Sequence, residues 1–345
     1  MNIYITLNYS LLAILFAFLL AEAMSAITFI YDRQSLPKVK KYLDPIWGVV
    51  GTFVVFFVVN AEVLYPSIMP YIDYLYVFPI LVATLLFIGR NLFLVFSEYI
   101  WKDSKFSPLM LARVYSLITF IILLILLSIF VSIISGVGVN STLTSFSASA
   151  FLSNIYAVGF IVGTLLIAFG LSFAFYKVDR MKFLSPISTV IGLLLFIYSM
   201  HGLNLNINYI TYIIAAAIAA VSIVYFITGK TRREAIFVAA FLSVISINFL
   251  NYGKVFGTKS LYTYLNNSAL SYASVLVTIV GGVILTAMLI FFLYMYKLPE
   301  DKNNDYNNVE YKDDEQKIGI ANLYIIPNNN KVNGKEHKTG KNGKR

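Results

Sequence analysis

Charged side chains are scarce in the apolar stretches of this chain, so the few that occur there are the first candidates for chemistry. Glu22 and Arg90 stand out. A charge at the centre of a membrane helix costs about 2.5–3.5 kcal/mol on insertion scales, and such residues pair or mark a functional path. Glu22 lies fourteen residues beyond Asn8, and Arg90 fifteen beyond Leu75. With about 1.5 Å rise per residue, both reach a similar depth, somewhat to the cytoplasmic side of the midplane. The spacing predicts a Glu22–Arg90 ion pair, read either as a clamp between two helices or as one station on a proton path. Glu62 falls near the outer end of an apolar stretch beside Asn60, as an outer proton port or a solvated helix-end carboxylate. Glu98 falls beside Trp101 at an inner interface, where Trp is at home, and is a further proton-path candidate. His201 is a candidate haem ligand or an interfacial residue bonded to a neighbour. Met200 does not strengthen ligation, because adjacent helical residues point to different sides.

The elements that position these residues are long apolar helices. About 20 residues are needed to cross a bilayer. Nine stretches qualify, at roughly 8–30, 46–65, 75–99, 114–137, 151–176, 186–204, 208–228, 235–252 and 269–296. The sixth is short and ends in the polar run Asn204–Asn208; the eighth ends in Asn248 and Asn251. No segment reads as a strand, and the ten-residue alternation of a membrane barrel is absent. Met1–Ser10 holds no Lys or Arg, so the first stretch reads as an uncleaved helix and not a signal peptide.

Sorting the basic residues by loop gives an orientation. Alternate loops hold Arg33, Lys38, Lys40 and Lys41; Lys102, Lys105 and Arg113; Lys177, Arg180 and Lys182; Lys230, Arg232 and Arg233; and Lys297. The opposite loops hold only Lys254 and Lys259. A split of 14 to 2 predicts an all-α polytopic membrane protein of about nine spans, N-terminus outside and C-terminus cytoplasmic. Losing the sixth or eighth helix would put basic loops on the wrong side. Small residues mark close helix packing: Gly159, Gly163 and Gly170 in the fifth span, Gly48 and Gly51 in the second, the Ala215–Ala220 run, and Gly281–Gly282 in the last.

Composition agrees with a membrane protein. Of 345 residues, 59% are hydrophobic and 12% charged, half the charge of a typical soluble domain, and mean hydropathy is +0.78. Residues 1–298 form the transmembrane unit. Residues 299–345 are rich in Asn, Lys, Asp and Gly and read as a disordered cytoplasmic tail, with Ile318–Pro327 as its one apolar patch. The tail is nearly neutral, so the net charge of +9 sits mostly in the membrane part. That excess is orientation charge and contact with anionic membrane lipid, which argues against nucleic acid as a partner. With no cysteine and two histidines, His201 and His337, the chain cannot build a Cys-ligated metal centre, an iron–sulfur cluster, a disulfide framework or a Cys nucleophile.

The stretch from Glu22 to Glu98 resembles the second, haem-poor subunit of cytochrome bd-type quinol oxidases. The resemblance rests on Pro45-Ile46-Trp47 opening the second helix, Tyr65-Pro66 ending it, Pro79 early in the third and Arg90 late in it. The steps Trp47 to Pro66, Pro66 to Pro79 and Pro79 to Arg90 are 19, 13 and 11 residues and follow the family pattern without a gap. Glu22 falls where that family carries an acid. Looser similarity runs through Gly136, the Gly-rich fifth helix ending in Tyr176-Lys177, and the Tyr-rich final helix to Tyr296. There are departures. Gly48-Val49-Val50-Gly51 stands in place of an Asp-Gly-Asn-Glu motif, Ala23-Met24-Ser25 in place of Gly-Phe-Asp, and Val95 in place of a Glu. In the family these polar positions are associated with a proton route or a bound quinone; here the acid–Arg skeleton remains, and a quinone stays open as a ligand.

What the resemblance implies is two four-helix bundles plus a peripheral helix, in the cell membrane. It also implies a partner, the larger oxidase subunit that bears haem b and d and the quinol site. The chain itself would have no cofactor and no complete active site. Its expected function is to stabilise that subunit within a quinol:oxygen oxidoreductase of the respiratory chain. Two alternatives remain at this level: the membrane anchor of another b-type cytochrome, with His201 as haem ligand, and a secondary transporter. The latter calls for broken helices in inverted repeats, which the sequence lacks.

Overall fold

A computed structural model describes residues 3–23, 36–95, 108–176, 178, 182–230, 236, 253–257, 259–264 and 269–295. Glu98, Trp101, residues 299–345 and all of the expected eighth span except Ile236 lie outside the described residues.

The chain is mostly helical. Its helices are α1 (Ile3–Ala23), α2 (Leu36–Leu64), α3 (Met69–Leu75), α4 (Val77–Val95), α5 (Pro108–Ser135), α6 (Ala148–Ser153), α7 (Ile155–Phe175), α8 (Leu184–Gly202), α9 (Tyr209–Thr228) and α10 (Ala269–Met295). Helices overlap the other eight expected segments. Among the described residues, four are long and apolar enough by themselves to cross a membrane: Arg113–Ser135, Ile155–Phe175, Leu184–Gly202 and Tyr209–Thr228. The short sixth stretch is among them. A fifth candidate is the pair α3–α4, bent by 79° at its break.

Local sequence explains the helix boundaries. Pro37, Pro70, Pro79, Pro108 and Pro186 all lie in first turns, where the missing N–H is not needed. Asn154 caps α7 by accepting from the Tyr156 and Ala157 amides at 3.0 and 2.9 Å. Asn208 caps α9 in the same way, and Gly229 closes α9 at φ +64°, a left-handed stop that suits glycine. One boundary differs from expectation. Helix α2 begins at Leu36, so Pro45 lies inside it and does not open it. The hydropathy signal marked only the apolar part, because the first turns of α2 are basic and polar.

Two strand pairings also depart from the all-helical expectation. Lys254–Val255 pairs antiparallel with Lys259–Ser260, and Val139 bridges Phe146. Both are too short to show a two-residue alternation. They hold the loop at the end of the bundle expected to face outward, where Phe256 N–H donates to Ile133 O at 2.6 Å. There Ile5, Leu64, Tyr65, Tyr76, Leu143, Val255 and Phe256 form a second apolar cluster.

The main core runs through α1, α2, α5, α7, α8 and α9. Helices α7 and α8 make the closest packing. An added Cβ on Gly163 would sit 2.8 Å from Phe196 N, and one on Gly192 2.8 Å from Gly163 O. Across the same seam Ser185 Oγ donates to Gly170 O and Ser188 Oγ to Leu166 O, both at 2.7 Å. The expected glycine face of the fifth span is thus the α7 side of this seam. The alanine run behaves differently: Ala216, Ala217 and Ala220 are exposed, so it is largely not an internal packing face.

Candidate functional site: a buried ion pair between four helices

Glu22 is the next-to-last residue of α1, and Arg90 lies deep in α4. The structure brings them together. Arg90 Nη1 donates to Glu22 Oε2 at 2.7 Å, and both side chains are 0% exposed. Helices α1 and α4 each pack extensively on α5, and α5 supplies the wall of the site. Its Tyr115 ring centroid lies 5.2 Å from the guanidinium carbon, and the Phe87 ring of α4 lies 4.9 Å away. Both are within cation–π range. Tyr176, which ends α7, is fully buried and within electrostatic range of Glu22. Four helices therefore converge on one charge pair, sandwiched by aromatic rings.

This arrangement suits a fixed, desolvated pair. Mutual attraction offsets the desolvation of two charges only with good geometry and further hydrogen bonds. The short Nη1–Oε2 contact supplies the geometry. Arg90 Nε and Nη2 make no hydrogen bond to protein atoms, and the buried Tyr115 hydroxyl, which has no other partner, stands beside the Glu22 carboxylate as a further donor.

The other sequence candidates are not drawn to this site. Glu62 is exposed at the end of α2. Pro66 is exposed in the following turn, Pro79 is half-buried in the first turn of α4, and Trp47 falls on α2. His201 is exposed in the last turn of α8, while Met200 beside it is fully buried, as their adjacency requires. No group of three or more His, Asp or Glu side chains that could hold a metal occurs among the described residues.

Sequence reasoning missed Tyr115 and, as a site residue, Tyr176. Both lie among 25 tyrosines, and nothing in their spacing singles them out. It also undervalued Asn60. That side chain is buried, and its Oδ1 accepts from Ser274 and, at 2.7 Å, from Thr278. This polar link ties α2 to α10. Hydroxyls at 274 and 278, four apart on an apolar helix, were a readable signal for such a link.

No protein-family model matches the chain, and no curated protein matches it in sequence.

Proposed function

We propose that the chain is the haem-free second subunit of a cytochrome bd-like quinol:oxygen oxidoreductase, and that it stabilises the haem-bearing subunit in the cell membrane. The observation that supports this most is the Glu22–Arg90 pair: an acid late in the first long helix and an arginine late in the third, joined in the buried centre of the bundle. These are two of the positions at which the sequence resembles that family. The proposed topology is nine spans, N-terminus outside, in two four-helix bundles with a peripheral helix. The pair acts as a clamp that fixes α1 and α4 against α5, and so presents a rigid surface to the larger subunit.

Haem fits poorly on this chain. It has no cysteine, and its one described histidine is exposed with its methionine neighbour buried on the other side. An axial pair cannot be drawn from those groups, so haem b and d are assigned to the partner. The anchor-subunit alternative makes a distinct forecast: a reduced-minus-oxidised haem spectrum from the isolated chain, lost in His201→Ala. The decisive experiment for the main reading is extraction from native membranes in mild detergent. Recovery with a haem-bearing chain in constant ratio supports it; recovery with no haem-containing partner overturns it.

A further inference from the structure

Six tyrosines are exposed among the described residues: Tyr71 and Tyr74 on α3, Tyr198 near the end of α8, Tyr209 and Tyr212 at the start of α9, and Tyr272 near the start of α10. Three contacts put these helix ends at one end of the bundle. Lys254 Nζ donates to Asn204 O at 3.0 Å, which ties the 254–260 hairpin to the turn between α8 and α9. Val255 and Phe256 of that hairpin pack with Tyr65 and Tyr76, which flank α3. Asn60, near the end of α2, joins Ser274 and Thr278 near the start of α10. At about 1.5 Å rise per residue, Tyr198, Tyr209, Tyr212 and Tyr272 lie within about 6 Å of their helix ends. Farther along the same helices the exposed side chains include the aliphatic Leu194 on α8, Ile223 and Val224 on α9, and Val283 on α10.

Helix α4 has 19 residues. That is a rise of about 28 Å, close to the thickness of a hydrocarbon core, about 30 Å, so α4 needs no help from α3 to cross. The 79° bend between them turns α3 nearly perpendicular: where α4 crosses, α3 runs along the membrane surface. One side of the α3 segment is spent on protein, with Ile68 and Leu75 buried. The other side carries Tyr71 and Tyr74 and continues into the exposed apolar stripe Phe78, Leu81, Leu85 and Ile88 of α4, which a membrane covers with lipid. Tyrosine joins an apolar ring to a hydroxyl and concentrates where acyl chains meet headgroups. We propose that the six exposed tyrosines form a belt seated in one headgroup layer of the bilayer, the outer one on the expected topology. Helix α3 is then a foot lying flat in that layer, not the first part of a broken span. The partner is the glycerol-ester and phosphate region of the lipid, whose oxygens accept from the phenol hydroxyls. This inference rests on the membrane reading of the chain and is independent of the oxidase reading.

The absence of cysteine allows one nitroxide label at a time on the full chain, in phosphatidylethanolamine–phosphatidylglycerol vesicles. The test sites are Tyr71→Cys, Tyr74→Cys, Tyr198→Cys, Tyr212→Cys and Tyr272→Cys. Ile223→Cys, exposed within α9, and Ser141→Cys, exposed in a loop, are the references. Depth is read by power-saturation EPR from collisions with oxygen, which concentrates among acyl chains, and with a nickel chelate, which stays in water. The five test labels should share one depth, between the two references and within the boundary layer of about 5–10 Å that interfacial helices occupy. Labels at 71 and 74 as deep as Ile223→Cys would make α3 part of the span and overturn the proposal. Labels there as accessible to the chelate as Ser141→Cys would lift α3 off the membrane and overturn it too, as would any other test label at acyl depth. A water-exposed Ile223→Cys would instead sink the membrane reading itself. A density map of the unaltered protein in a lipid nanodisc decides without substitution. Helix α3 should meet the headgroup band of the disc; α3 within the acyl band, or clear of the disc, overturns the proposal.

Discussion

Removing the Arg90 guanidinium leaves the Glu22 carboxylate with no cation in a site that bulk water does not reach. Breaking one half of a buried pair costs about 3–5 kcal/mol, whereas replacing both halves by apolar groups is often close to neutral. Arg90→Leu should therefore lower unfolding stability by about that amount, read from the denaturation midpoint in detergent. The Glu22→Leu/Arg90→Leu double variant should recover much of the loss. Equal, additive losses would mean that the two side chains do not act as a pair. Glu62→Gln and His201→Ala touch exposed positions and should stay within about 0.5 kcal/mol of the parent in the same assay. At this scale the sequence was informative where chemistry is rare. Two opposite charges at matched depth in apolar helices have few ways to exist apart, so their pairing was legible. Tyr115 and Tyr176 were not, because an aromatic wall is defined by which helices meet and not by a local pattern.

Helix contacts decide what small and hydroxyl side chains are worth. Gly163 faces the backbone of α8 so closely that a Cβ would overlap Phe196 N. Gly163→Leu should force α7 and α8 apart and sharply reduce the folded yield, measured by size-exclusion chromatography. Gly89→Ala is the control. Nothing lies within 4 Å of its added Cβ, and Ala gains about 0.5–1 kcal/mol over Gly within a helix, so its yield should match or exceed the parent. Asn60→Ala removes the acceptor of two interhelical bonds between α2 and α10. In membranes such bonds average about 0.6 kcal/mol each, so a modest loss of about 1 kcal/mol in unfolding stability is expected. Hydropathy found the helices because burial in lipid demands long apolar runs. It misplaced the start of α2, because polar first turns carry no such demand. The strand pairs at 139–146 and 254–260 escaped it because two residues are too few to show a period.

Over the whole chain, the distribution of Lys and Arg predicts which loops face which compartment. The absence of cysteine makes this testable without a background. Ser141 sits exposed in the loop between α5 and α6, and Lys230 exposed just after α9. Ser141→Cys should react with a membrane-impermeant maleimide in intact cells, and Lys230→Cys only after permeabilisation. The reverse pattern would invert the topology. By itself the sequence determined the helical class, the positions of the described apolar helices and the pairing of Glu22 with Arg90. These follow from hydropathy, charge sorting and the cost of a lone charge in hydrocarbon, all of which act along the chain or through depth alone. Only the tertiary structure decided that α5 forms the wall of the pair, that α7 packs backbone to backbone on α8, and that Arg90 keeps one guanidinium edge unused. Those outcomes depend on the rotation of each helix about its axis and on its choice of neighbours. A helix with apolar residues on all sides fixes neither, and they are settled when close-packed side chains admit one arrangement.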